Sequence, residues 1–214
     1  MRIVYLHGFA SSPGSGKARF FKDRFNECGV PVEIPELDGG DFTGLTITGQ
    51  LKVVERTVAG RPAILMGSSL GGYLAALFAS RSALVEKLIL MAPAFRFPSR
   101  WRERYSVADM EEWRRKGVWP IYHFGSGGLR PIGYQLVEDS RVYEDEPEFS
   151  RPALIFHGMH DDVVPVEFSR QYAARRPNVT LHLLDSGHEL TDVLEPMWSG
   201  VREFLEIRRA GPVL

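Results

Sequence analysis

Six short apolar runs punctuate the chain: "RIVYL" from residue 2, "VEIPEL" from 32, "AILMG" from 63, "KLILMA" from 87, "ALIFH" from 153 and "TLHLL" from 180. Their near-continuous apolar character, without polar alternation, predicts strands buried on both faces. Helix-period patterns lie between them. Ala18, Phe21, Phe25 and Cys28 recur at helical spacing and stop at Gly29, and Ile47, Leu51, Val54 and Val58 do the same before Gly60. Residues 70–80, "LGGYLAALFAS", are small and apolar all round, as for a helix buried against a sheet. Val193, Met197, Val201, Phe204 and Leu205 form the apolar stripe of a closing helix. Alternation of strand and helix predicts an α/β fold, a mainly parallel sheet of about six strands with helices on both faces.

One region breaks this rhythm. From about Phe95 to Pro147 no strong strand is visible, yet three of the four tryptophans, Trp101, Trp113 and Trp119, fall there. Within it "SVADMEEWRRKG" reads as a short helix: Ser106 caps it, Asp109 follows three residues on, basic residues come late and Gly117 ends it. "GSGG" at 125–128 reads as a flexible stretch. The segment 95–147 is expected to be a lid inserted between two strands of a single domain spanning 1–214. Trp101, Trp113, Trp119, Tyr122 and Phe124 are its candidates to wall an apolar substrate pocket, against the alternative that they only pack the lid onto the body.

The 214 residues are 44% hydrophobic and 25% charged, an ordinary globular composition. A net charge of −1 gives no electrostatic reason to expect a nucleic acid or membrane partner. Cys28 is the only cysteine, so no internal disulfide can form. No apolar run approaches the ~18 residues of a membrane span, and the opening run reads as a strand and not as a leader. A soluble, cytoplasmic protein is the expectation, with the oligomeric state open.

The early "SSPGSGKAR", residues 11–19, has the look of a phosphate-binding loop but fails the pattern G-x-x-x-x-G-K-[ST]. Ser11 stands where the first glycine is required, and Ala18 where the hydroxyl should be. "AILMGSSLGGYLAA" is more informative. Gly67-Ser68-Ser69-Leu70-Gly71 matches G-x-S-x-G after a buried strand and at a helix start, which is the context of a strained nucleophile turn. Ser69 is the central serine and the candidate nucleophile; Ser68 is the weaker one. The helix start leaves the Leu70 N–H free to face a developing oxyanion.

A serine needs a base, and the base an orienting acid, in the chain order Ser, Asp or Glu, His. "ALIFHGMHDDVVP" offers Asp161 beyond a strand end, with Asp162 the runner-up. "TLHLLDSGHEL" offers His188 after the last strand, with Asp185 more suited to shaping that loop. His123 falls in the lid and His182 within a strand. His157 and His160 flank the acid, His157 as a backbone anchor or either as a supporting neighbour. Together with Asp161 they are a weak metal frame, so no metal or other cofactor is expected. After the first strand, His7-Gly8-Phe9 brings a second N–H donor, that of Phe9, toward the serine, with Gly8 allowing close approach and His7 anchoring the loop.

With these residues the chain resembles the α/β-hydrolase superfamily over nearly its whole length outside the aromatic segment. "YLHGFASSPGSGKA" and "GSSLGGYLA" look most like the small bacterial YqiA-type esterases, while "HGMHDDVVP" and "DSGHEL" look like superfamily hydrolases at large. The resemblance implies an α/β-hydrolase fold whose sheet lacks the superfamily's first two antiparallel strands. It also implies Ser69 as nucleophile, Asp161 as acid, His188 as base and the Phe9 and Leu70 amides as oxyanion donors. The expected activity is hydrolysis of small to medium carboxylic esters through an acyl-enzyme, without cofactor. A thioesterase, a peptidase or carbon–carbon hydrolase with the same residues, and a non-catalytic ligand-binding relative, are the alternatives.

Overall fold

The computed structural model describes residues 1–207, so the last seven positions of the expected domain lie outside the described residues. Six strands pair in parallel: β1 (Ile3–Leu6), β2 (Val32–Glu33), β3 (Ala63–Ser68), β4 (Val85–Met91), β7 (Ala153–Gly158) and β8 (Val179–Leu184). Their order is β2-β1-β3-β4-β7-β8. Each of the six apolar runs supplies one strand, although "VEIPEL" contributes only its first two residues to the ladder. β1, β3 and β7 are buried along their full length, which is why their sequences show no alternation.

Helices cover both faces. α1 (Gly16–Glu27) and α8 (Leu194–Phe204) close one side, where Phe21, Phe25, Met197, Trp198 and Val201 pack on Ile64, Met66, Ile89 and Phe156. α2 (Ile47–Val58), α3 (Leu70–Ala79) and α7 (Val166–Ala174) cover the other around Leu65, Leu88, Leu90 and Ile155. Every residue of α3 is buried, matching its all-round apolar sequence. No helix among the described residues is long and apolar enough to cross a membrane.

The 95–147 segment leaves the sheet after β4 and returns before β7. It contains α4 (Trp101–Arg104), α5 (Val107–Lys116), the antiparallel hairpin β5 (Val118–His123) with β6 (Gly128–Gly133), and α6 (Gln135–Ser140). The hairpin corrects the expectation of a strand-free insertion, and "GSGG" is its turn. Proline hid it: Pro120 and Pro131 sit directly opposite one another, and proline within an apolar run argues against a strand. α5 starts and ends as its sequence predicts, with Ser106 and Asp109 in a reciprocal capping box and Gly117 left-handed at φ 76°. The ends of the insertion are fastened together, Arg96 pairing with Glu146 at 2.9 Å and its N–H reaching the Asp145 carbonyl at 2.8 Å.

Candidate active site

β3 runs into α3 through Ser69, whose backbone is left-handed in φ (52°, ψ −117°). This costly conformation for a residue with a side chain is held by the bonds around it. The Ser69 N–H donates to Met91 O at 2.9 Å, and its carbonyl accepts from the N–H groups of Gly72, Tyr73 and Ala94 at 3.0–3.1 Å. Both motif glycines are sterically required. A Cβ at Gly67 would collide with the Gly71 backbone, and one at Gly71 with the carbonyls of Leu6 and His7.

The structure brings Ser69, His188 and Asp161 into one hydrogen-bonded chain from three separate strand ends. Ser69 Oγ lies 3.1 Å from His188 Nε2, and His188 Nδ1 lies 2.8 Å from Asp161 Oδ2. The Asp161 side chain is fully buried, and its Oδ1 accepts the N–H groups of Val163 (2.9 Å) and Val164 (2.7 Å). Burial alone would push its carboxyl up. The hydrogen bonds from His157, His188 and the Val164 N–H outweigh that and hold it well below the usual carboxylate range. An ionised Asp161 fixes the proton of His188 on Nδ1, which leaves Nε2 free to accept from the serine hydroxyl.

His157 completes this arrangement from below. Its Nε2 faces two acceptors, Val164 O at 3.0 Å and Asp161 Oδ2 at 3.1 Å, so that nitrogen carries the hydrogen. Its Nδ1 then accepts from the Ser169 hydroxyl at 2.7 Å. His157 therefore serves Asp161 directly as well as the backbone. The other polar candidates lie elsewhere: His160 pairs with exposed Asp185 at 2.7 Å, and Asp162 points to solvent. His123 packs edge-on against Phe42, with ring centroids 4.7 Å apart, and accepts the Ser126 N–H. His7 is a loop anchor, accepting the Leu37 N–H on Nε2 at 3.3 Å while Nδ1 meets Gly8 O at 3.0 Å.

Among the described residues neither the Phe9 N–H nor the Leu70 N–H has a hydrogen-bond partner. Leu70 directly follows the serine at the amino end of α3, and Phe9 lines the cavity in front of it. Gly8 differs from expectation: a Cβ there would meet Ser68 O and Ser69 Cβ at an ordinary 3.5 Å, so close approach does not demand glycine. Gly158, which the sequence reading passed over, is the demanding position. A Cβ on it would strike the carbonyls of Ser186 and Gly187, the two residues just before His188. The only sequence signal was a glycine closing a buried strand.

The cavity at Ser69 and His188 measures about 500 Å³ and lies among the β1–α1 loop, the insertion and the β8–α8 loop. Of the five aromatic residues expected to wall it, only Phe124 does so. Trp101 (6% exposed) and Trp113 (0%) belong to the apolar core, with Trp119 packed against it. Tyr122 stands edge-on to Phe124, centroids 5.2 Å apart. Trp113 is held inside by edge-on and tilted contacts with Trp101, Tyr105, Trp119 and Tyr134 and donates its indole N–H to Ile132 O, whereas the buried Trp101 indole N–H has no hydrogen-bond partner among the described residues. The hairpin tip is pinned over the site by the Phe124 N–H on Ala10 O at 2.7 Å. A cavity of similar size, about 490 Å³, lies against α2 and contains none of these side chains.

A six-stranded parallel sheet, helices on both faces and a strained serine turn after the third strand in sequence define a member of the α/β-hydrolase superfamily. Within it the chain belongs to the family described as "Uncharacterised protein family (UPF0227)", whose model matches residues 2–205. It is 30% identical over 190 residues to a Bos taurus protein named palmitoyl-protein thioesterase ABHD10, mitochondrial. That match covers 81% of this chain and 61% of the relative; the Homo sapiens protein of the same name is 31% identical over 55% of this chain and 40% of its own length. The chain thus spans less than two thirds of the length of these relatives, 61% of one and 40% of the other. Among solved structures, alpha/beta hydrolase domain-containing protein 10 from mouse superposes with a TM-score of 0.81 at 23% identity, covering 96% of this chain and 89% of that one. Est1E from Butyrivibrio proteoclasticus, solved with ferulic acid bound, gives 0.81 at 20% identity over 96% and 88%.

Proposed function

We propose that the protein is a serine hydrolase that cleaves carboxylic esters of small to medium acyl groups by way of an acyl-enzyme. The observation that carries this reading is the unbroken chain from Ser69 Oγ through His188 to ionised Asp161, mounted on a strained turn. Ser69 attacks the ester carbonyl while His188 Nε2 takes its proton. The N–H groups of Phe9 and Leu70 receive the oxyanion, a contribution worth about 10²–10³ in rate per donor in such sites. His188 then protonates the departing alcohol and activates the water that releases the acid. Asp161 holds the imidazole in its working tautomer and offsets the charge it acquires. No cofactor takes part, and the partner is a small-molecule ester. A cytoplasmic setting rests on Cys28 as the sole cysteine.

The similarity to chains named palmitoyl-protein thioesterase favours a thioester as the second reading, since the same steps cleave it. The test is a fluorophosphonate probe followed by mass spectrometry, with Ser69→Ala alongside and panels of matched esters and thioesters. The reading expects an adduct on Ser69 and a loss of turnover of roughly a million-fold in the variant. A folded, unlabelled parent that a smaller phosphonate also fails to label rejects it. The ratio of ester to thioester turnover then selects between the two substrates.

A further inference from the structure

The loop that fails the phosphate-binding pattern has another use. Lys17 lies in the first turn of α1 and is 8% exposed, yet no hydrogen bond or ion pair engages its ammonium among the described residues. A buried charge without a partner is costly and is normally paired. Lys17 lines the 500 Å³ cavity together with Ser69 and His188. Tyr5 is a second polar group on the same wall: it is fully buried, and its hydroxyl lies by the Ser68 side chain without making a hydrogen bond of ordinary geometry. Between them the amino end of α1 opens on the cavity through Ser15 and Gly16, with the partial positive charge of a twelve-residue helix. We propose that this corner of the cavity is a subsite for an anionic group, a carboxylate or a phosphate, carried by the ester substrate and bound by Lys17, the Tyr5 hydroxyl and the start of α1.

This rests on the hydrolase reading above and gives it a substrate class. The charges facing Lys17 do not replace such an anion. Glu189 is exposed at the cavity rim and lies beyond ion-pair distance of Lys17, and Asp161 is taken up by four donors. Burial pushes the Lys17 ammonium down from its ordinary value, while these two carboxylates only oppose that; a bound anion would relieve it further. Nor does the lysine help the proton relay, because a positive charge beside the site disfavours the imidazolium that His188 must form. Arg104 adds a further cation at the exposed rim.

The experiment compares kcat/KM for charged and neutral ester pairs of matched size. 4-Nitrophenyl hydrogen glutarate against 4-nitrophenyl valerate places the charge on the acyl side. 4-Carboxyphenyl butyrate against phenyl butyrate places it on the leaving group, and 4-phosphonophenyl butyrate distinguishes phosphate-like anions from carboxylates. The full-length protein should prefer the anion in at least one pair by tenfold or more. Lys17→Met should reduce that preference at least tenfold, chiefly through KM; Lys17→Arg should retain most of it, and Tyr5→Phe should lower it about threefold. A Lys17→Met variant that slows both members of each pair equally assigns the lysine to structure alone and overturns the subsite, as does a parent with no preference. Should neither ester be hydrolysed, the hydrolase reading fails by itself. Calorimetry with glutarate and with inorganic phosphate then decides the subsite: saturable binding lost in Lys17→Met upholds it, and no binding to the parent ends it.

Discussion

The positions that hold the site are set by contacts measured in single atoms. Gly158 is the sharpest case, because its missing Cβ is the space through which the loop bearing His188 passes. Gly158→Ala must push Ser186 and Gly187 outward and carry His188 away from Ser69. A displacement of about 1 Å costs on the order of 100-fold in rate when reacting groups must be aligned. Kinetics with a small neutral ester should find kcat down by that factor with KM little changed. A variant with full kcat would mean that the loop absorbs the methyl elsewhere. The sequence offered Ser69 and His188 readily, because each falls where its chemistry requires it along the chain. It did not offer Gly158, because its contact arises between β7 and the loop after β8, which meet only in the folded sheet; His157, four residues before the acid, was legible as its neighbour but not as its hydrogen-bond donor. Lys17 did leave a trace, standing four residues before Phe21 and eight before Phe25 on the buried side of its helix.

Elements were legible wherever one physical signal dominated. Buried parallel strands show as apolar runs, and α5 was readable from its cap, its charge order and its closing glycine. The hairpin was not, since each of its strands carries a proline, Pro120 within the apolar run of β5 and Pro131 opposite it in β6. The fate of the lid aromatics was equally hidden. The composition of an insertion does not say whether its rings face a cavity or each other, and here most face each other. α5 matters because it carries Trp113 into the middle of that aromatic cluster. Ser106→Ala removes the side-chain half of its capping box, the hydroxyl that accepts the Asp109 N–H, and should destabilise the protein by about 1 kcal/mol. Urea titration would show this as a lower midpoint at unchanged slope. An unchanged midpoint would mean that packing around Trp113 alone holds the helix.

Across the whole molecule the site is tied to acid stability. Asp161 joins three segments: His157 on β7, the Val163–Val164 turn that leads to α7, and the His188 loop that leads to α8. Its carboxyl has a pKa near ~3.9 in an unfolded chain and a lower one when folded. Between those two values the unfolded state binds more protons, so stability rises with pH. The contribution is complete above the unfolded value and is lost as pH falls through the folded one. Glu33, Glu112 and Glu144 are also held low, by Arg2, Lys116 and Arg81 respectively, so acid denaturation of the parent alone cannot isolate Asp161. The difference between the parent and Asp161→Asn does isolate it, since those surface pairs are common to both. Charge-assisted hydrogen bonds of this kind contribute about 2 kcal/mol. Urea unfolding of the two proteins should therefore differ by about that amount from pH 7 down to pH 5. Below about pH 4 the gap should narrow progressively, because the unfolded parent takes up the Asp161 proton while the folded parent keeps this carboxylate ionised to lower pH. A gap that stays constant to pH 2.5 would mean that Asp161 contributes through shape alone, and the ionised carboxylate on which the proposed proton relay depends would have to be abandoned.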